Sequence, residues 1–319
     1  MNNIVFNNNI YPSGAYYVLK QLGLVPGHTE PRFLELGKQI SALGKSFSFK
    51  ASLAGGPLFK LIYQIPSYLE ITPIEFDKFF QVISNFIKYK DINIFLEKWP
   101  DKTNYFKQWY TQGWISALSK SVDHDPARAL AIIETFLLIL HDSWDEYSSI
   151  YKEKISNLST NFINLEKECN SHNIFSRWEK SFGNQYPYDK LEIITCPESN
   201  ALANSLGPEK LVIGSSKIDN CLNTCIHEVG VRTIDLNYLS TNVFTKDILI
   251  NDYRAIQFLI EMEVCYRKKE IFPEIKVDKF VSSMNLEKLL EWRNNKSIDK
   301  ELAKSFAYWY KELKELGIL

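Results

Sequence analysis

The sequence predicts a mainly α-helical protein with a helical N-terminal part, followed by a small α+β region that has a short β-sheet and C-terminal helices. Three observations favour this fold class. Helix-start signals and helical apolar patterns recur through the first part, two short β-like runs follow it, and 14% of the residues are aromatic, which supplies large rings for a helical core. We therefore divide the chain into a helical domain, 1–185, and an α+β region, 186–319.

The composition, with 45% apolar and 24% charged residues, excludes disordered, collagen-like and coiled-coil proteins. With 37 basic and 38 acidic residues and a net charge of -1, the chain gives no electrostatic reason to expect a nucleic acid or a membrane surface as partner. The most apolar stretch, 129–140, is shorter than the roughly 20 residues of a membrane span and contains Glu134. No secretory signal is recognisable, and the five cysteines are an odd number, so we expect free thiols and a cytoplasmic protein.

Capping residues mark the clearest helix starts. Thr72 and Glu75 form a capping box around Pro73, and Asp125 with Pro126 repeats the signal ahead of an apolar helix that should be central to the core. The helices predicted in the first part cover 13–22, 31–53, 56–64, 73–98, 104–120, 126–140, 143–170 and 174–181. The first 185 residues are therefore expected to be entirely helical.

Two strands and then a helix are predicted in the second part. Residues 191–196 alternate in the manner of a strand and end at Pro197, and 210–214 form a second β-like run. A capping-box-like start at Ser216 precedes a helix over 218–236. Further helices are predicted at 246–268, 286–293 and 298–315.

One string in the helix over 218–236 has the residue types of a reaction centre. Residues 225–232 are Cys-Ile-His-Glu-Val-Gly-Val-Arg. In an H-E-x-x-H helix, positions four apart differ by only about 40° around the axis, so both histidines can bind one zinc ion while the glutamate polarises the bound water. His227 and Glu228 fit the first histidine and the glutamate.

The layout around this string resembles the zincin superfamily, especially its gluzincin branch, over residues 191–267. A strand leads into the motif helix, and a later helix offers an acidic third ligand. In that branch this ligand often stands in E-x-x-x-R, which Glu263 and Arg267 match, with Glu261 as the competing choice. The resemblance implies a zinc cofactor, Glu228 as the catalytic base, and His227 and Glu263 as metal ligands.

The second histidine of the motif is missing. Its position is Val231 in the H-E-x-x-H spacing and Arg232 in the longer H-E-x-x-x-H spacing, which resembles that of tubulin tyrosine carboxypeptidases. Neither side chain binds zinc, so His227 and Glu263 alone would hold the ion weakly. We expect an inactive pseudo-peptidase that binds a peptide or a protein by strand pairing at an exposed edge formed by 210–214.

Two alternative functions stay open. One is an active metal-dependent hydrolase with a rearranged ligand set of His227, Glu261 and Cys265. The other is a non-catalytic helical scaffold, in which Glu228 simply forms an i,i+4 ion pair with Arg232 on the helix surface.

Two further residue types in the motif helix have structural explanations. Gly230, a glycine inside a helix, indicates either close packing or descent from a site that needed room. Cys221 and Cys225 lie on a different face from His227 and are predicted to be buried structural thiols.

Overall fold

The computed structural model describes residues 2–25, 27–41, 59–109, 125–199, 204–214, 218–234, 236–275 and 286–319. Its strands are β1 (Asn3–Asn7), β2 (Lys190–Thr195), β3 (Asn204–Ser205) and β4 (Lys210–Ile213). Its helices are α1 (Ile10–Gln21), α2 (Leu34–Ser41), α3 (Ile65–Leu69), α4 (Phe76–Tyr89), α5 (Asn93–Lys98), α6 (Thr103–Trp109), α7 (Pro126–Asp142), α8 (Trp144–Ser171), α9 (Ile174–Phe182), α10 (Ile218–Thr233), α11 (Leu236–Thr241), α12 (Lys246–Asn251), α13 (Tyr253–Ile271), α14 (Leu286–Asn294) and α15 (Leu302–Glu315). The predicted fold class, mainly helical with a small sheet, is confirmed.

The sheet contains a strand from the N-terminal end of the chain. Its order is β1-β2-β4-β3, with β1, β2 and β4 parallel and β3 antiparallel to β4. The prediction that the first 185 residues are entirely helical is therefore wrong at Asn3–Asn7. This five-residue strand, flanked by asparagines, has no local pairing signal because its partner β2 lies far along the chain. Asn170 and Glu166 of α8 cover its outer edge by accepting hydrogen bonds from the backbone N–H groups of Ile4 and Phe6, each at 2.9 Å.

Strand β4 is paired on both sides. Thr195 of β2 lies opposite Ile213 on one side, and Asn204 of β3 lies opposite Val212 on the other. The prediction that 210–214 form an exposed sheet edge is therefore wrong. The covering strand β3 has only two residues, too few to produce an alternating pattern in the sequence.

The sheet separates two hydrophobic cores. Along β2, Ile194 faces a core formed with α1, α3, α4 and α7, whereas Ile193 faces a core formed with α8, α9, α10, α13 and α15. Alternate residues of one strand point to opposite faces of the sheet, and a core covers each face. Strand β2 is therefore buried at almost every position. The predicted division at residue 185 falls between α9 and β2 and stays a prediction, although the sheet includes strands from both sides of it.

The capping signals at Thr72 and Asp125 locate helix starts correctly, whereas the start predicted at Ser216 lies outside the described residues, and two of the predicted helices are interrupted. The capping box of Thr72 and Glu75 is present, and Asp125 accepts a hydrogen bond from the N–H of Arg128 at 3.0 Å. The predicted helix 73–98 is interrupted at Lys90, whose φ of 55° is left-handed, and the predicted helix 246–268 is interrupted at Asp252. Parts of the predicted helices 31–53, 56–64 and 104–120 lie outside the described residues.

Within the described part of the chain, no helix is long and apolar enough to cross a membrane.

Candidate functional site

The motif helix α10 is held in place by close packing around Gly230. A Cβ atom at this residue would lie 2.7 Å from two indole atoms of Trp178 and 3.0 Å from Cγ1 of Val264. Trp178 also donates its indole N–H to the carbonyl of Ile226 at 2.7 Å. The missing side chain lets α9, α10 and α13 approach one another, which supports the close-packing interpretation of this glycine.

His227 is buried and forms an ion pair with α13. Its Nε2 lies 2.7 Å from Oε2 of Glu261, the competing choice for the third ligand. Burial lowers the pKa of His227, but Glu261 and a hydrogen bond with Cys265 outweigh burial and raise this pKa well above the ordinary imidazole value. In turn, His227 outweighs the effect of burial on Glu261 and holds the pKa of that carboxyl below its usual range. The two groups therefore form a charged pair.

Glu228, the predicted catalytic base, forms a buried ion pair with Arg232. The guanidinium donates through Nη1 to Oε2 of Glu228, which is the i,i+4 contact of the scaffold alternative, but the prediction that this pair lies on the helix surface is wrong because packing against the β3–β4 hairpin buries it. It also donates through Nε to the carbonyl of Pro208 at 2.6 Å and through Nη2 to Oγ of Ser205 at 2.7 Å. The arginine at the second-histidine position of the longer spacing thus ties α10 to the β3–β4 hairpin. Val231, at that position of the shorter spacing, packs against the second core.

Glu263, the predicted third ligand, is fully buried between two arginines. Its Oε1 accepts from Nε of Arg267 at 2.6 Å and from Nη2 of Arg293 at 3.0 Å, and its Oε2 accepts from Nε of Arg293 at 2.5 Å. Both carboxylate oxygens are therefore engaged. The acidic residue in contact with His227 is Glu261, not Glu263.

These contacts leave no ready-made metal centre. Among the described residues, no group of three or more His, Cys, Asp and Glu side chains is arranged to hold a metal ion. The rearranged set is the one that comes together, since His227 contacts both Glu261 and Cys265, yet it does not form such a group. Zinc bound by His227 and Glu263 stays a prediction, and so does the role of Glu228 as a base.

A second polar region, which the sequence did not indicate, lies where the parallel strands β1 and β2 end. We call it the tyrosine cluster, and it consists of Ser13, Lys20, Tyr63, Tyr147, Tyr151, Lys154, Cys196 and Glu198. Its members are scattered over almost 200 positions and match no motif. The signal that could have located it is the polar Cys-Pro-Glu-Ser that directly follows β2, because parallel strands often place ligand sites at their carboxyl ends.

Comparison of this chain with protein-family models, with curated proteins and with solved structures finds no match. The resemblance to the zincins therefore depends on residues 191–267 of the sequence alone.

Proposed function

We propose that this protein is a catalytically inactive pseudo-peptidase that has a zincin-like motif helix without a working metal centre and that binds a peptide or a protein. The buried ion pair of Glu228 and Arg232 carries the proposal. A catalytic base needs a carboxylate that faces metal-bound water. Here a permanently charged guanidinium holds that carboxylate instead.

Glu263, the predicted metal ligand on α13, supports the same proposal. Glu263 would have to leave two arginines before it could bind a metal, and removing one partner from a buried ion pair is strongly unfavourable. Arg232 and Arg293 thus provide the positive charge that a zinc ion would otherwise bring to these carboxylates.

A protein-binding role is supported by exposed apolar side chains in one short stretch around α11 and α12. They are Tyr238, Val243, Phe244 and Ile250, of which Val243 is 71% exposed. Exposed apolar surface is typical of sites that bind other proteins. Strand addition at β4 does not serve this role because β4 is paired on both sides. A reducing, cytoplasmic location is part of the proposal, supported by five free cysteines.

Metal content tests the loss of the metal centre. We expect far less than one zinc per chain in protein purified without an affinity tag or added metal, and no peptide hydrolysis. Arg232→His and Val231→His each restore one spacing of the motif, and a gain of zinc in either variant would identify the register. One zinc per chain in the unmodified protein, with hydrolysis that Glu228→Gln abolishes, would establish the enzyme alternative instead.

Selection from a displayed peptide library tests the binding role. We expect peptides whose binding survives a chelator and Glu228→Gln but is lost in Val243→Asp. Ile74→Asp is the matched control, because Ile74 is 96% exposed on a different part of the chain. Failure to select any peptide above background would favour the scaffold alternative.

A further inference from the structure

The tyrosine cluster occupies the position where parallel sheets commonly bind ligands. Strand β2 is followed directly by Cys196 and Glu198, and β1 is followed by Asn9, which caps the first turn of α1. The carboxyl ends of β1 and β2, the first turn of α1 and one face of α8 therefore meet here. In open α/β sheets, ligands commonly bind outside the carboxyl ends of the parallel strands.

Several hydroxyl groups in this cluster make no hydrogen bond of normal geometry with the protein. Ser13 and Tyr147 are completely buried and Tyr151 nearly so, yet their hydroxyl oxygens make no hydrogen bond of normal geometry: Ser13 lies beside Tyr147 and Cys196, and Tyr151 lies beside the backbone of Asn9. An unpaired buried hydroxyl is unfavourable for folding, whereas a phenylalanine or an alanine would fill the same place without that penalty. Such groups indicate a site that exchanges hydrogen bonds with something other than the protein.

The outer side of the cluster is positively charged. Glu198 is buried between Lys20, whose Nζ lies 2.8 Å from Oε2, and Lys154, which binds Oε1. Burial raises the pKa of Glu198, but the two lysines outweigh burial and hold this pKa below its usual range. One carboxylate between two ammonium groups leaves a net positive charge.

The inner side of the cluster offers uncharged groups. Burial raises the pKa of the Cys196 thiol to about 11, so the sulfur is neutral at pH 7. Burial also raises the pKa of Tyr147, and the nearby Glu198 and Cys196 add to the effect. The phenol therefore keeps its proton and can donate it in a hydrogen bond.

We propose that the tyrosine cluster binds a small ligand through an oxyanion group, a phosphate or a carboxylate. The oxyanion takes the place of the Glu198 carboxylate between Lys20 and Lys154, and accepts hydrogen bonds from the hydroxyls of Ser13, Tyr147 and Tyr151. Glu198 then acts as an internal substitute for the ligand when the site is free. Lys154 is 43% exposed, so an anion reaches the two lysines from solvent. This site is independent of the function proposed for the motif helix.

Calorimetric titration of the full chain with inorganic phosphate and, separately, with succinate tests this site. We expect Glu198→Gln to tighten anion binding about tenfold, because it removes the competing charge, and Tyr147→Phe to weaken it by a similar factor, because it removes one donor. A gain of affinity in Glu198→Gln cannot result from misfolding. The tighter of the two anions identifies the head group of the ligand.

Lys304→Met is the control for non-specific attraction. Lys304 is also paired with one carboxylate, that of Asp299, but lies exposed on another part of the surface. Anion binding that changes equally in Lys304→Met and Lys20→Met, or that ignores Glu198→Gln and Tyr147→Phe, would overturn the proposal. Absence of binding to either anion would overturn it as well and assign the hydroxyls to enclosed water.

Discussion

The motif helix and the tyrosine cluster differ in how well their buried polar groups are paired. Around α10 and α13 every charged group of the predicted site has an opposite charge beside it: His227 has Glu261, Glu228 has Arg232, and Glu263 has Arg293. In the tyrosine cluster, three hydroxyls are buried without a hydrogen bond of normal geometry, those of Ser13, Tyr147 and Tyr151. Paired groups hold a structure together, whereas unpaired ones indicate a function or bound water. The region marked by a sequence motif is thus the one whose charges are already neutralised by the protein.

The largest effect is expected from breaking the pair at Glu263. Arg293→Met leaves a fully buried carboxylate with Arg267 as its remaining partner, and should lower the free energy of unfolding by about 3–5 kcal/mol. Urea unfolding measures this loss. Lys304→Met, which breaks an exposed pair, should leave the free energy of unfolding nearly unchanged. Equal losses in the two variants would contradict the structural role given to Glu263.

A methyl group at Gly230 tests the packing that aligns this network. Gly230→Ala places a Cβ 2.7 Å from Trp178, so we expect a loss of about 1–3 kcal/mol, although alanine is the better helix former. Ser149→Ala, on the exposed side of α8, is the control and should be nearly neutral. Thermal unfolding measures both variants. A Gly230→Ala protein that is more stable than the unmodified protein would show that α10 is not closely packed at this residue.

Removing single hydroxyls compares paired and unpaired tyrosines within the first core. Tyr11 donates to the carbonyl of Ile62 at 2.8 Å, whereas the hydroxyl of Tyr63 lies beside the Asn204 side chain without a hydrogen bond of normal geometry; both tyrosines are fully buried. Tyr11→Phe should lower the free energy of unfolding by about 1–2 kcal/mol, and Tyr63→Phe should leave it unchanged or raise it slightly. Chemical denaturation of both proteins measures the difference. Similar losses would mean that Tyr63 is satisfied by water.

The smallest expected effect is the pH dependence of the pair formed by His227 and Glu261. The pKa of His227 is raised in the folded state, so its stabilising contribution is complete below about pH 6.5 and declines as the pH rises through the folded value. The lowered pKa of Glu261 makes its own contribution decline below about pH 4.5. The stability difference between the unmodified protein and His227→Gln should therefore be largest near pH 5.5, at about 1 kcal/mol because Glu261 is partly exposed, and should shrink as the pH rises through the folded-state pKa of His227.

His28→Gln is the control for this pH profile, because the His28 side chain is 81% exposed. A stability difference for His227→Gln that grows above pH 7 would contradict a charged His227. Unfolding by urea at a series of pH values measures both variants.

The sequence predicted those features that depend on neighbouring residues. The capping residues Thr72 and Asp125 located helix starts, and the buried state predicted for Cys221 and Cys225 is confirmed. The ion pair between Glu228 and Arg232, weighed as an alternative, follows from their i,i+4 spacing.

Features that depend on residues far apart in the chain could not be predicted from the sequence. Glu261 and Glu263 lie two positions apart and thus on different faces of α13, and only the packing of α10 and α14 decides which of them meets His227 and which meets Arg293. Strand β1 was missed for a related reason, because its partner is not a neighbour in sequence. The tyrosine cluster could not be predicted for both reasons, because it depends on the packing of helices and on the pairing of distant strands.

The pairing of β1 with β2 also determines when the sheet can form during synthesis of the chain. Asn3 is made long before its partner Lys190, which is added only after the helices of the first core have been translated. At typical rates of roughly 5–20 residues per second, the first strand waits about ten seconds or longer on the ribosome before its partner exists. Closing so long a segment is slow, so the helices of the first core can form while β1 remains unpaired. Completion of the sheet, and with it the alignment of the carboxyl ends of β1 and β2, is therefore a late event in folding.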